Sequence, residues 1–244
     1  MVMESATPGI GSLDVIRKKL YTAVISDILD QRGYRHQVLQ PTIRAVGSHR
    51  ELVGRAYPVL AAETFEMPAK PYCKLIEALD SIQEDAVFIT NRLSDRAAFW
   101  GELLSKVCAS HRATGAIIDG LVRDLKRIEP LGFPVLGRGT SPVDSLGRFE
   151  VLARRQPIEC GGVHIEPGDL VIADCDGVVI VPKSIEDAVI TDALAKVHGE
   201  AKAILYENFL IPLGFYEGFS KGMDFLQGRY ESPVMCHADA AGTI

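Results

Sequence analysis

Long apolar runs are missing from this chain, and none approaches the roughly 20 residues with which a helix crosses a bilayer. Met1 to Leu13 carries neither a basic leader nor a hydrophobic stretch. The expectation is a soluble, cytoplasmic protein with no membrane partner. Cysteine is sparse and scattered. The five residues Cys73, Cys108, Cys160, Cys175 and Cys236 never fall in a Cys-x-x-Cys spacing, which argues against a disulfide framework or a zinc ribbon. Positive charge is short of what nucleic acid requires. The net charge is -6 and the longest basic run is Arg17-Lys18-Lys19. The histidines lack the HExxH and HxH spacings of a zinc hydrolase. Gly137-Arg138-Gly139-Thr140 lacks the spacing of a nucleotide-binding loop, so its glycines are read as turn geometry.

What is present suits one domain with a sizeable core, since 47% of the 244 residues are hydrophobic. From Ser12, a candidate N-cap, Leu13, Ile16, Leu20, Val24, Ile28 and Leu29 recur at helical spacing up to Gly33, predicting one or two helices. Glu51 to Ala62 and Ala86 to Thr90 read as strands. Pro71 to Leu79 reads as a helix with Leu75, Ile76 and Leu79 on one face. Gly101 to Arg112 places Leu103, Leu104, Val107, Cys108 and His111 at helical intervals. It leads into Gly115-Ala116-Ile117-Ile118-Asp119, an apolar run of the kind buried strands use. Asp176-Gly177 between Leu170-Val171-Ile172 and Val178-Val179-Ile180-Val181 is the best hairpin signal. After Pro182, residues 185 to about 228 read as helical, with His198 exposed. The fold class is therefore α/β.

Chemistry concentrates after the strand that is expected to end in Asp119-Gly120. Arg123 and Asp124 follow it directly, where α/β proteins place ligands. A carboxylate at Asp124 suits a hard divalent ion, and a guanidinium at Arg123 grips a carboxylate through two parallel hydrogen bonds. The competing reading is a local turn in which Asp119 caps and Arg123 makes a surface ion pair. Gly101 opens a helix whose first N–H groups form an anion site. Glu102 in that first turn is also ordinary compensation of the helix dipole. Cys108, on an apolar helix face, reads as a packed thiol.

The ordered series Gly101-Glu102-Leu103-Leu104, Asp119-Gly120-x-x-Arg123-Asp124, Phe133-Pro134-Val135, Gly161-Gly162-Val163 with Pro167-Gly168-Asp169, and Asp174-x-Asp176-Gly177-Val178-Val179-x-x-Pro182 resembles the class II pyruvate aldolases (HMG/CHA aldolases) and the proteins like regulator of ribonuclease activity A. The resemblance runs from about residue 24 to residue 200. It implies a swivelling-type β/β/α sandwich in a single domain over 1–244, with a C-terminal helical extension from 201 to 244. It also implies Mg²⁺ or Mn²⁺, a small 2-oxo acid substrate, and a homotrimer or hexamer with sites between subunits. By the same resemblance Asp124 is the metal ligand and Arg123 holds the substrate's oxo and carboxylate oxygens. The backbone at Gly101, Leu103 and Leu104 cradles the carboxylate, Glu102 and Asp119 support the site, and Glu200 reaches a neighbour's site. The segment Asn91 to Trp100 and the tail after Ile204 depart from the family pattern.

The implied reaction is metal-assisted carbon–carbon lysis. One form is aldol cleavage of a 4-hydroxy-4-methyl-2-oxoglutarate-type substrate, with a water activated near Glu200 or Glu102 as base. The other is oxaloacetate decarboxylation, which needs only the electron sink. The alternative is a non-catalytic binding protein of the ribonuclease-regulator type, against which Asp124 speaks.

Overall fold

The computed structural model describes residues 12–205, with side chains described through residue 199. Residues through Leu194 belong to one compact unit and those from Ala195 to another. The predicted N-terminal helical stretch forms α1 (Leu13–Lys19) and α2 (Thr22–Gln31). Ser12 caps α1 as expected, its hydroxyl accepting from the Val15 N–H at 3.4 Å. Gly33 takes the chain away from α2 at φ +85°. The start of α2 has no acidic residue of its own in the first turn. Asp174 supplies the cap from a distance, accepting from the Thr22 N–H at 2.8 Å and the Thr22 hydroxyl at 2.7 Å.

Nine strands make one mixed sheet. In chain order these are β1 (Arg44–Ala45), β2 (Leu52–Glu63), β3 (Ala86–Thr90), β4 (Ala98–Trp100), β5 (Gly115–Val122), β6 (Val135–Thr140) and β7 (Phe149–Arg154), then β10 (Leu170–Ala173) and β11 (Val178–Val181). The order across the sheet is β1-β6-β5-β3-β2-β10-β11, with β4 also against β5 and β7 also against β2. The strands β2, β3, β5 and β6 are mutually parallel, which explains their nearly unbroken apolar sequences: both faces are covered. The remaining hairpin, β8 (Ile158–Cys160) with β9 (Val163–Ile165), is separate.

Alternate residues of the central strands serve different cores. Phe88, Ala116 and Ile118 pack with residues of α3 (Cys73–Asp80) and α4 (Glu102–Ser110), among them Leu75, Leu79 and Cys108. Val87, Ile89 and Ile117 pack on the other face with Ile158, Cys160, Val163 and Ile165 of the β8–β9 hairpin. The result is three layers, hairpin, sheet and helices, which is the expected β/β/α arrangement. Phe88 alone buries a ring worth about 2 kcal/mol of transfer free energy.

Strand β2 changes partners along its length. Leu52–Arg55 pair with β10 and Val59–Glu63 with β7. Pro58, which has no N–H to offer, lies in the gap between these ladders, where its missing donor costs least.

Several local expectations are corrected. Ile76 is 53% exposed, so α3 buries Leu75, Ala78 and Leu79 instead. Leu103 is 71% exposed, and α4 turns Ser105 and Cys108 inward. The strand read as ending at Asp119 continues to Val122, leaving Asp119 inside it as a buried residue and not as a cap. Gly137 to Thr140 form part of β6, not a turn. Gly137 is needed for proximity, since a Cβ there would come within 3.0 Å of Val122 Cγ2. Helix α6 (Glu186–Leu205) follows β11, and His198 on it is exposed. Most of the expected extension, 206–244, lies outside the described residues. No helix among the described residues is long and apolar enough to cross a membrane.

Candidate active site

The site is built where β4 and β5 end side by side. Trp100, the last residue of β4, is fully buried against Phe88, with ring centroids 4.8 Å apart, and Phe133 at 6.5 Å. Its indole N–H donates to the Ser105 hydroxyl at 2.8 Å, and that hydroxyl donates to the Gly101 carbonyl at 3.1 Å. These bonds fix the start of α4 to the sheet. The Trp100 carbonyl also accepts from the Arg123 N–H at 2.9 Å, which draws the end of β5 toward α4.

Asp124 then turns the chain. Its backbone is left-handed (φ 64°, ψ 30°), a conformation that Asp tolerates better than most residues. Its carbonyl accepts from the Arg127 and Ile128 N–H groups, starting α5 (Leu125–Ile128). This turn sends the Asp124 side chain back to the N-terminus of α4. There Oδ2 accepts from the Glu102 N–H at 3.3 Å and lies 3.5 Å from Arg123 Nε. Oδ1 accepts no hydrogen bond from a described residue, and the side chain is 40% exposed. Gly101 makes the approach possible, because a Cβ on it would sit 2.7 Å from Asp124 Oδ2 and 3.2 Å from Arg123 Cγ.

Arg123 is shared. Its Nη2 lies 3.3 Å from Oδ1 of Asp144, on the loop between β6 and β7. The Tyr72 hydroxyl donates to Asp144 Oδ2 at 3.2 Å. Burial, and then the Asp144 charge, raise the Tyr72 phenol above its usual range, so it remains a donor at neutral pH.

The sequence-predicted residues divide into two groups. Gly101, Glu102, Arg123 and Asp124 meet, and the N–H groups of Leu103 and Leu104 belong to the first turn of α4, which has no intrahelical acceptors for them. The Glu102 carboxylate turns aside to Lys106, 2.6 Å away, and that bond holds its pKa below the ordinary value. Asp119 joins a different cluster. Its Oδ2 accepts from the Gly161 N–H at 2.8 Å, while Oδ1 lies 3.5 Å from Arg92 and 3.6 Å from Arg138 without a hydrogen bond. Among the described residues none of its partners belongs to the Arg123 cluster. Glu200 lies on α6, but its side chain is outside the described residues.

Sequence reading missed Asp144 and Tyr72. No local motif marks them, because Asp144 reaches Arg123, and Tyr72 reaches Asp144, only through tertiary contact. The donor set fits a hard divalent ion in one respect that the geometry shows: a half-exposed carboxylate with one oxygen that accepts no hydrogen bond from a described residue. Asp174, Cys175 and Asp176 also cluster, but Asp174 is committed to Thr22 and to the Asp176 N–H.

Comparison with known proteins matches residues 22–180 to the RraA-like family, described as Aldolase/RraA. A Halalkalibacterium halodurans protein named "putative 4-hydroxy-4-methyl-2-oxoglutarate aldolase" is 30% identical over 72% of this chain and 79% of its own length. A solved structure described as a novel cellulase from gut-associated microbes superposes with a TM-score of 0.74 at 26% identity, covering 82% of this chain and 90% of that one. Streptomyces coelicolor RraAS2, described as an unusual member of the RNase ES inhibitor RraA family, superposes with a TM-score of 0.70 at 24% identity, covering 82% and 98%. That likeness concerns the fold.

Proposed function

The chain belongs to the RraA-like (Aldolase/RraA) family, and from that premise we propose that it is a lyase that cleaves a carbon–carbon bond of a small 2-oxo acid with help from Mg²⁺ or Mn²⁺. The observation that carries this reading is the convergence of Arg123, Asp124 and the free N-terminus of α4 on one half-exposed spot. A ribonuclease-regulator-like binding role gives that convergence no task.

Asp124 would hold the ion, through the oxygen that accepts no hydrogen bond from a described residue, and the ion would supply the electron sink for the 2-oxo group. The chain's own groups do the rest. The Leu103 and Leu104 N–H groups, aided by the helix dipole, hold the substrate carboxylate. The Arg123 guanidinium binds the carboxylate and oxo oxygens and stabilises the negative charge that grows on the oxo oxygen as the bond breaks. Decarboxylation of oxaloacetate releases CO₂ and leaves the enolate, which takes a proton from solvent at carbon to give pyruvate, so it requires no protein base. Aldol cleavage also needs a base for the 4-hydroxyl proton, a water activated by Glu200 or Glu102. Lys106 lowers the basicity of Glu102, which favours Glu200.

The same reading makes the protein a homotrimer or hexamer in which Glu200 serves the adjacent subunit. Arg123→Ala and Glu200→Gln, inactive singly, are then expected to recover activity when unfolded and reassembled together. Mixed rings without recovered activity would return Glu200 to its own chain or to the role of a solvated helix residue.

The reaction is tested by measuring pyruvate release from 4-hydroxy-2-oxo acids and from oxaloacetate, with and without Mg²⁺ or Mn²⁺. Metal-dependent pyruvate from at least one substrate is expected. No pyruvate from any of them would sink the lyase reading.

A further inference from the structure

Arg123 has two edges with which to meet an anion: the side-on edge, formed by Nε–H and Nη2, and the end-on edge, formed by Nη1 and Nη2. Two carboxylates lie beside the first: Nε is 3.5 Å from Asp124 Oδ2 and Nη2 is 3.3 Å from Asp144 Oδ1, both as ion pairs without a hydrogen bond, and Nη1 makes no hydrogen bond to a described residue. Asp144 is itself held. Oδ1 accepts from the Ser145 N–H at 2.7 Å and Oδ2 from the Tyr72 hydroxyl at 3.2 Å.

We propose that Asp144 and Tyr72 are positioning residues that clamp Arg123 against Asp124, so that only the end-on edge of the guanidinium meets the substrate's oxygens. The two come from separate loops, one before α3 and one after β6, and neither belongs to the Asp119-Gly120-x-x-Arg123-Asp124 motif. An arginine with four rotatable bonds and one carboxylate partner can swing. Two carboxylates spaced along one edge hold the fork by charge from two points and limit its swing, which keeps the other edge turned toward a planar 2-oxo acid. Tyr72 adopts φ 62°, a conformation that a bulky side chain seldom takes, and there its hydroxyl reaches Asp144. The neighbouring Tyr72 phenol also fixes which oxygen of Asp144 remains for Arg123.

The inference rests on the proposed role of Arg123 in gripping substrate, and the test separates the two. Asp144→Asn and Tyr72→Phe are compared with wild type by two readouts. The first is the rate at which phenylglyoxal modifies Arg123, followed by peptide mapping, with Arg92 and Arg154 in the same digest as internal controls. The second is kcat and KM for metal-dependent pyruvate release, together with Mn²⁺ affinity. Asp144→Asn is expected to speed modification of Arg123 but not of the controls, and to lower kcat/KM by about ten- to a hundredfold with Mn²⁺ affinity unchanged. Tyr72→Phe should shift both in the same direction by less, and Asp144→Glu should restore part of the loss.

Unchanged Arg123 modification in both variants would overturn the clamp. Should Asp144→Asn fail to fold, Tyr72→Phe, which removes one hydroxyl, decides alone. A faster-modified Arg123 in a protein whose wild type releases no pyruvate would keep the clamp and discard the lyase reading.

Discussion

A Cβ placed on Gly101 would lie 2.7 Å from Oδ2 of Asp124, closer than such atoms approach in folded proteins. The helix start and the acidic side chain are therefore fitted to each other, and glycine at position 101 is what lets Asp124 hold this position. The Gly101 backbone itself is extended (φ -163°), which any residue adopts.

Gly101→Ala is accordingly expected to fold normally while pushing Asp124 and Arg123 out of place. Metal-dependent kcat/KM should fall by about a hundredfold, the effect of a misplacement near 1 Å. Steady-state kinetics beside a circular-dichroism melt check this. A variant with wild-type kinetics would show that the Asp124 position does not matter.

Asp124→Asn should abolish metal-dependent turnover and leave the fold intact. Asn tolerates the left-handed backbone at φ 64° as well as Asp does, so the turn into α5 survives while the charge is lost. Pyruvate release with and without a chelator, in mutant and wild type, is the measurement. Chelator-insensitive wild-type activity would remove the metal from the proposal.

Asp119→Ala tests a stabilising role apart from the active site. Asp119 is nearly inaccessible and is the carboxylate facing both Arg92 and Arg138. Removing it leaves the buried Gly161 N–H without its acceptor, while Arg92 keeps solvent and Asp95 and Arg138 keeps Thr42, so the expected cost is about 2 kcal/mol, that of one buried unsatisfied donor. Urea unfolding measures it, and a loss below about 0.5 kcal/mol would reduce the cluster to a surface feature.

Cys108 gives a pH dependence. Burial raises its thiol from 9.0 to about 12, so above pH 9 the unfolded chain loses this proton and the native chain does not. Stability should therefore decline as pH rises from 9 toward 12, with Cys160 acting in the same direction. Urea midpoints across that range should flatten in Cys108→Ala. Equal slopes in mutant and wild type would assign the decline to other groups.

The parts of this fold that sequence revealed are those governed by local pattern. Strand β3 coincides with its apolar run, the hairpin around Asp176-Gly177 follows its turn chemistry, and Ser12 and Gly33 bracket the first helices. Periodicity failed where a functional surface interrupts it. Leu103 fits the apolar stripe of α4 yet lies exposed beside the site. Asp119 looked like a strand end because a carboxylate inside a buried strand is unexpected until Gly161, Arg92 and Arg138 are brought to it. Of the site itself, Arg123, Asp124 and Gly101 were legible from their motifs. Asp144 and Tyr72 were not, since their proximity to Arg123 depends on the packing of two loops distant in sequence.

The divided partnership of β2 bears on how the chain reaches its native state during synthesis. Strand β3 follows it closely, but the edge of Leu52–Arg55 waits for β10, whose paired residues lie 115 to 121 positions downstream. Until that segment leaves the ribosome, an apolar strand with unsatisfied N–H and C=O groups stands open to any extended peptide. Premature termination before residue 170 would make this state permanent, so such fragments should aggregate through β2 in a way that the full chain does not.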